Sequence, residues 1–345
     1  MISKLSQRLF SMAMITAAVY AVTTAAVRLA ALLLDFDAAA GFFSPDSLLY
    51  DVLIFLLLSC AVIFVVFAIA TRGSYARQQG EVQSGILLRF AATCAVIAAV
   101  VFFVLTFGSE SEALSGLPLF CRRMVQISLV PTAGYFLLAA YGGDRHPNLR
   151  AVASLCTVAF CLFYALYLYF ETDMPLNAPN KLFDQITLIL LALFFLYEGT
   201  MQARLGAGTP YIAAAFIACI FSFVVSVPNL LYTLLRSEVL MQNTAHDFLM
   251  LAFSVYIVAR LRPLAAAARA AADEAEPVFE LLGSEDGVSP TETAPEELSA
   301  DDVAPADQAP SSAPLSFTVE TVSDDVPGDG QAADTAETSD SEDKA

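Results

Sequence analysis

Tryptophan is absent from this 345-residue chain, and histidine occurs only twice, at His146 and His246. Without tryptophan, the aromatic belt of a membrane protein falls to tyrosine. Tyr50, Tyr141, Tyr167, Tyr169, Tyr197, Tyr211 and Tyr232 all lie toward the ends of apolar stretches, as that role requires. The six cysteines are Cys60, Cys94, Cys121, Cys156, Cys161 and Cys219, with no Cys-x-x-Cys among them. Five sit inside apolar runs, where cysteine behaves as a small buried hydrophobe. Cys121 lies near a loop and has no loop partner for a disulfide. A zinc ligand set is missing. So are a His-Glu-x-x-His motif and a Gly-x-Ser-type nucleophile with a histidine in reach. Gly206-Ala207-Gly208 runs into Thr209-Pro210 and reads as a turn, not a phosphate cradle. No enzyme, metal or cofactor is expected.

Basic residues are also scarce in the last fifth of the chain. Up to Ala272 there are 16 Lys and Arg against 14 Asp and Glu; beyond it Lys344 stands alone against 21 acids. The overall charge of −18 therefore belongs to the tail. That balance excludes nucleic acid as a partner, because phosphates need Lys and Arg. It also keeps the tail off an anionic lipid surface.

What is abundant is apolar sequence, and charges measure it out. Arg8 and Arg28, Asp51 and Arg72, Arg89 and Glu110, Arg123 and Asp144, Arg150 and Glu171, and Asp184 and Arg204 stand 20 or 21 residues apart. As a helix that is ~30 Å, the thickness of a hydrocarbon core. The fold class is an all-α polytopic bundle in residues 1–272, with spans at 9–30, 49–71, 87–108, 124–142, 150–170, 184–203, 211–234 and 239–261. Lys and Arg collect in alternate short loops, which places both termini in the cytoplasm of a multi-pass, bacterial-type cell membrane. A rival reading takes residues 1–26 as a cleaved signal peptide, leaving seven helices. The run is long for such a segment, and apolar sequence resumes after Arg28.

Asp51, Asp184 and Asp247 each lie near the start of an even-numbered span, where a carboxylate complements the helix dipole and caps free N–H groups. Arg28 and Arg89 read as anchors that snorkel to the interface. Glu198 reads as a partner for Arg204 or for water, one turn earlier on the same helix.

The last span departs from the charge spacing. Asp247 to Arg260 is 13 residues, too few to cross, whereas Glu238 to Arg260 is 22. Starting that span near Val239 puts Gln242, Asn243, His246 and Asp247 in its outer half. In the preceding span Pro228 removes a backbone bond and frees the carbonyl near Val224, with Ser222, Ser226 and Asn229 close by. Ser226, Asn229, Gln242, Asn243, His246 and Asp247 are thus the candidate polar cluster. Three readings compete: an outward-facing pocket, a helix end projecting into water, and hydrogen bonds that only hold the bundle together.

Residues 273–345 are rich in Ala, Pro, Ser, Thr, Asp and Glu, the composition of a disordered cytoplasmic tail. Two apolar islands, with Phe279, Leu281 and Leu282 in one and Phe317 in the other, are candidate docking motifs for a cytoplasmic protein. The function expected from these features is a non-enzymatic membrane sensor or adaptor. A small-solute transporter is the alternative, set back by a shortage of glycine and polar groups at midplane.

Overall fold

The computed structural model describes residues 2–37, 40–70, 85–107, 116–142, 147–170, 178–203, 208–236 and 244–274. Its helices are α1 (Ile2–Leu34), α2 (Leu48–Ala70), α3 (Ile86–Phe107), α4 (Leu117–Tyr141), α5 (Pro147–Phe170), α6 (Pro179–Gln202), α7 (Gly208–Arg236) and α8 (Thr244–Glu274). All eight are long and apolar enough to cross a membrane. The chain is a multi-pass membrane protein with an all-α bundle.

Local sequence sets several starts. α5 and α6 open on proline, whose fixed φ and missing N–H suit the first turn. α4 follows Gly116 at φ +69°, a left-handed conformation that glycine adopts freely. α2 is capped by Ser47: its hydroxyl accepts from the Tyr50 N–H at 3.1 Å and donates to Asp35 at 2.5 Å. Ahead of it the strands β1 (Phe36–Asp37) and β2 (Phe42–Phe43) pair antiparallel in a minimal hairpin.

The helices α3, α4, α5, α6, α7 and α8 each pack on the next, and α8 closes back on α3; α1 packs on α7, α8 and α2. α8 has the most buried of the eight spans, and α1 and α2 the least. Side chains of α8 also reach α4, α5 and α6, through Phe136, Phe160 and Phe195 around Phe253. α8 therefore touches six of the other seven helices and acts as the axis of the bundle. At the start of the first span Phe10 is buried against the Phe216 ring of α7.

The fourth span begins earlier than hydropathy suggests, at Leu117 instead of 124, because Arg122 is buried inside the protein and does not end the helix. α8 is described from Thr244 to Glu274, and the expected start at 239 lies outside the described residues. Cys121 is a buried helical residue, not a loop residue. Tyr211 and Tyr232 are buried as well, so neither belongs to an interfacial belt. Residues 275–345, including Phe279, Leu281, Leu282 and Phe317, lie outside the described residues.

Candidate functional site

Because the helices alternate in direction, the last turns of α1 and α7 meet the first turns of α6 and α8 at one end of the bundle. Arg28 of α1 is 1% exposed there. It does not snorkel. Its guanidinium donates to the Val224 carbonyl at 3.2 Å, to Asn180 Oδ1 at 3.3 Å and to Asn229 Oδ1 at 3.1 Å, and lies 5.1 Å from the Phe183 ring centroid. The Val224 carbonyl is available because Pro228, four residues on, has no N–H to offer it. α7 stays helical through Pro228, and an arginine from another helix takes the acceptor that the proline frees.

Asn229 passes the network on, donating through Nδ2 to Asp247 Oδ1 at 3.0 Å. Beside Asp247, His246 places Nε2 3.5 Å from Asp184 Oδ1, with the Tyr164 ring 5.2 Å away and edge-on. Asp184 is fully buried, and neither of its oxygens accepts a hydrogen bond among the described residues. It is not a cap. α6 starts at Pro179, more than a turn earlier, and the side chain faces α8. The hairpin covers this end through a run of rings, Phe36 to Phe43 to Tyr50 to Phe183, the last of which lies under Arg28.

A second buried network occupies the opposite end. Glu198 of α6 pairs with Arg260 of α8 through Oε1 and Nη2. The same carboxylate oxygen accepts from Gln202 Nε2 at 3.0 Å and from the Tyr135 hydroxyl at 3.4 Å, and the Tyr135 and Tyr256 hydroxyls are 2.8 Å apart. Glu198 is thus held by another helix, and Arg204, its expected partner, lies outside the described residues. Gly199 makes room for this arrangement: a Cβ there would stand 2.3 Å from Ser154 Oγ of α5.

Between the two networks the described interior carries no charged side chain, and its hydroxyls, such as Ser222 and Ser254, bond to backbone carbonyls. Phe136, Phe195, Phe253 and Tyr256 pack on one another with ring centroids 4.9 to 6.3 Å apart. The two networks share a register that single residues do not reveal. On α6 one buried stripe runs Asp184, Leu188, Leu191, Phe195, Glu198; on α8 one buried stripe runs His246, Met250, Phe253, Ile257, Arg260. Both follow alternating steps of four and three residues, the repeat of a heptad seam. The acids sit at the two ends of the α6 seam and the basic residues at the two ends of the α8 seam, ~21 Å apart along each helix.

Of the residues singled out from sequence, Asn229, His246 and Asp247 come together in one network. Ser226 lies on the same helix as Asn229, but its hydroxyl donates back to the Ser222 carbonyl at 2.7 Å and stays outside the charges. Gln242 and Asn243 lie outside the described residues. The burial of His246 and Asp247, 1% and 3% exposed, removes the reading in which these two project into water. Arg28, Asn180, Asp184, Glu198 and Arg260 were not grouped by sequence reasoning. The matching 14-residue spacing of Asp184 to Glu198 and of His246 to Arg260 was the signal that could have found three of them, Asp184, Glu198 and Arg260. Among the described residues no His, Cys, Asp and Glu cluster could hold a metal ion. No family model, no curated protein and no solved structure matches the chain.

Proposed function

We propose that this protein is a non-enzymatic membrane sensor or adaptor, in which the polar network around Arg28 receives a stimulus at the outer face and α8 carries it to the cytoplasmic tail. Both termini are cytoplasmic in this reading, in the cell membrane of a bacterium. One observation carries it: α8 holds His246 and Asp247 at one end of the bundle and Arg260 at the other, then continues as helix to Glu274, next to the acidic segment. An axial helix that touches six neighbours cannot shift at one end without disturbing its contacts along the bundle. The acidic segment, with its islands at Phe279, Leu281, Leu282 and Phe317, is the proposed output and would bind a cytoplasmic protein.

The test compares the full chain with a chain ending at residue 272, both inserted in membranes and exposed to cytoplasm. The reading requires a cytoplasmic protein held by the first and lost from the second, with weaker capture after Phe279→Ser or Phe317→Ser. Equal recovery by the two chains would overturn it.

Transport is the second reading, favoured by one feature: buried charge pairs bracket an aromatic layer, as two gates would bracket an occluded path. Solute flux that survives removal of residues 273–345 and is lost in Asn229→Ala would replace the sensor reading with this one.

A further inference from the structure

The two pairs that close the α6–α8 seam differ in one chemical respect. Arg260 is charged at every physiological pH, and Glu198 has two further donors in Tyr135 and Gln202. No histidine takes part in that pair. His246 is an ion only when protonated, and Asp184 across from it accepts no hydrogen bond among the described residues. A fully buried carboxylate whose lone pairs are unmatched is costly. A proton on the imidazole supplies a counter-ion and a donor where the carboxylate needs both.

The charged neighbours define what that proton would meet. Asp184 and Lys181 come from α6, Arg28 from α1 and Asp247 from α8 itself; α7 offers the neutral Asn229 and α5 the Tyr164 ring. α4 brings the buried Arg122 to this end of the bundle, where Phe120 meets Phe163 of α5. The charge on α3 among its described residues is Arg89, exposed at the far end. Arg28 is engaged by three oxygens, none of them Asp184's. Among the buried described residues at this end the acids are Asp184 and Asp247 and the permanent cations Arg28, Lys181 and Arg122; a proton on His246 adds one further positive charge. Thr244, two residues before His246, is the first described residue of α8, and Asp184 lies in the second turn of α6 at the same end of the bundle.

The geometry points to a proton-binding site at Asp184 and His246, in which the bound proton latches the start of α8 to α6 while Glu198–Arg260 holds the other end as a fixed pivot. The proton adds to a ring nitrogen of neutral His246 from water on that side of the membrane. No bond in the protein breaks, and the site gains one positive charge. Acid closes the latch, and alkali leaves a neutral imidazole and lets α8 move away from α6. The inference rests on the sensor reading, for which it names the stimulus, but it makes its own prediction about His246.

The chain's own scarcities make the test clean. In the full chain carrying His146→Gln, His246 is the one histidine, so an isotope-labelled sample in lipid nanodiscs gives a single imidazole signal. It should titrate between about pH 5 and about pH 8, where histidine ordinarily changes charge. In Asp184→Asn the midpoint should fall by about one pH unit or more, a tenfold weaker hold on the proton. No titration in this range, or the same midpoint in Asp184→Asn, would overturn the inference. Movement of α8 is read by a tryptophan placed at exposed Phe248, the one tryptophan in the chain. Its emission should shift with the His246 midpoint and stay constant in His246→Gln. An unchanged shift in His246→Gln would refute the latch even where Asp184→Asn fails to fold. Because neither signal needs a tail partner, failure of the sensor reading and failure of this inference are seen separately.

Discussion

Removing either member of the Glu198–Arg260 pair tests the second network, and the expected magnitudes are unequal. Each side chain is buried, so loss of one leaves the other without its counter-ion inside the bundle, at a cost of about 3–5 kcal/mol. Arg260→Met should fall at the lower end, near 3 kcal/mol, because Glu198 keeps its bonds from Gln202 and Tyr135. Glu198→Leu should fall near 5 kcal/mol, since the guanidinium is left with tyrosine hydroxyls and no carboxylate among the described residues. The double variant places two apolar side chains where two charges met, a replacement that is often close to neutral. It should therefore lose less than either single variant, well short of the ~8 kcal/mol sum of the single losses. Reversible unfolding in mixed detergent–lipid micelles measures all four chains, with tryptophan at Phe248 as the reporter. Single losses that add to within about 0.5 kcal/mol would show that the two side chains do not meet inside the bundle.

Three further outcomes follow from individual contacts. Arg28→Lys keeps the charge but not the planar fork that reaches Val224, Asn180 and Asn229 together; unfolding should show a loss of about 1.5–3 kcal/mol, and a loss near zero would remove Arg28 as the hub. Gly199→Val drives a branched side chain into Ser154 and should cost about 1–3 kcal/mol by the same assay, by forcing α5 from α6 next to Glu198. Ser47→Ala removes the cap of α2 and should lower stability by about 1 kcal/mol, with faster amide exchange confined to the first turn of that helix.

The fold was legible because a bilayer imposes length. Charges at either end of an apolar run locate a crossing with no knowledge of packing, and the second and fifth spans, expected at 49–71 and 150–170, appear as Leu48–Ala70 and Pro147–Phe170. The same rule misleads wherever a charge is buried in protein instead of meeting water. Arg122 delayed the expected start of α4, and Arg28 and Glu198 read as interface residues although each bonds to other helices. Hydropathy records what a side chain costs in lipid but not whether another helix brings it a partner. Pro228 illustrates the converse. The chemistry of proline singled out the Val224 carbonyl from sequence, but only the packing of α1 on α7 shows that Arg28 takes it. The hairpin at Phe36–Asp37 and Phe42–Phe43 had no signal beyond Gly41, since two-residue strands carry no alternation.

The shared register of α6 and α8 underlies both the transmission path and the latch, and short-range cross-linking examines it most directly. In a chain whose six native cysteines are replaced, cysteine pairs are placed at 184 with 246, at 198 with 260, and at the crossed positions 184 with 260 and 198 with 246. A short bifunctional thiol reagent applied to the protein in lipid should link the first two pairs and neither crossed pair, because the ends of each helix stand ~21 Å apart. Linking of a crossed pair, or no link at 184 with 246 and at 198 with 260, would contradict the in-register pairing of these two helices.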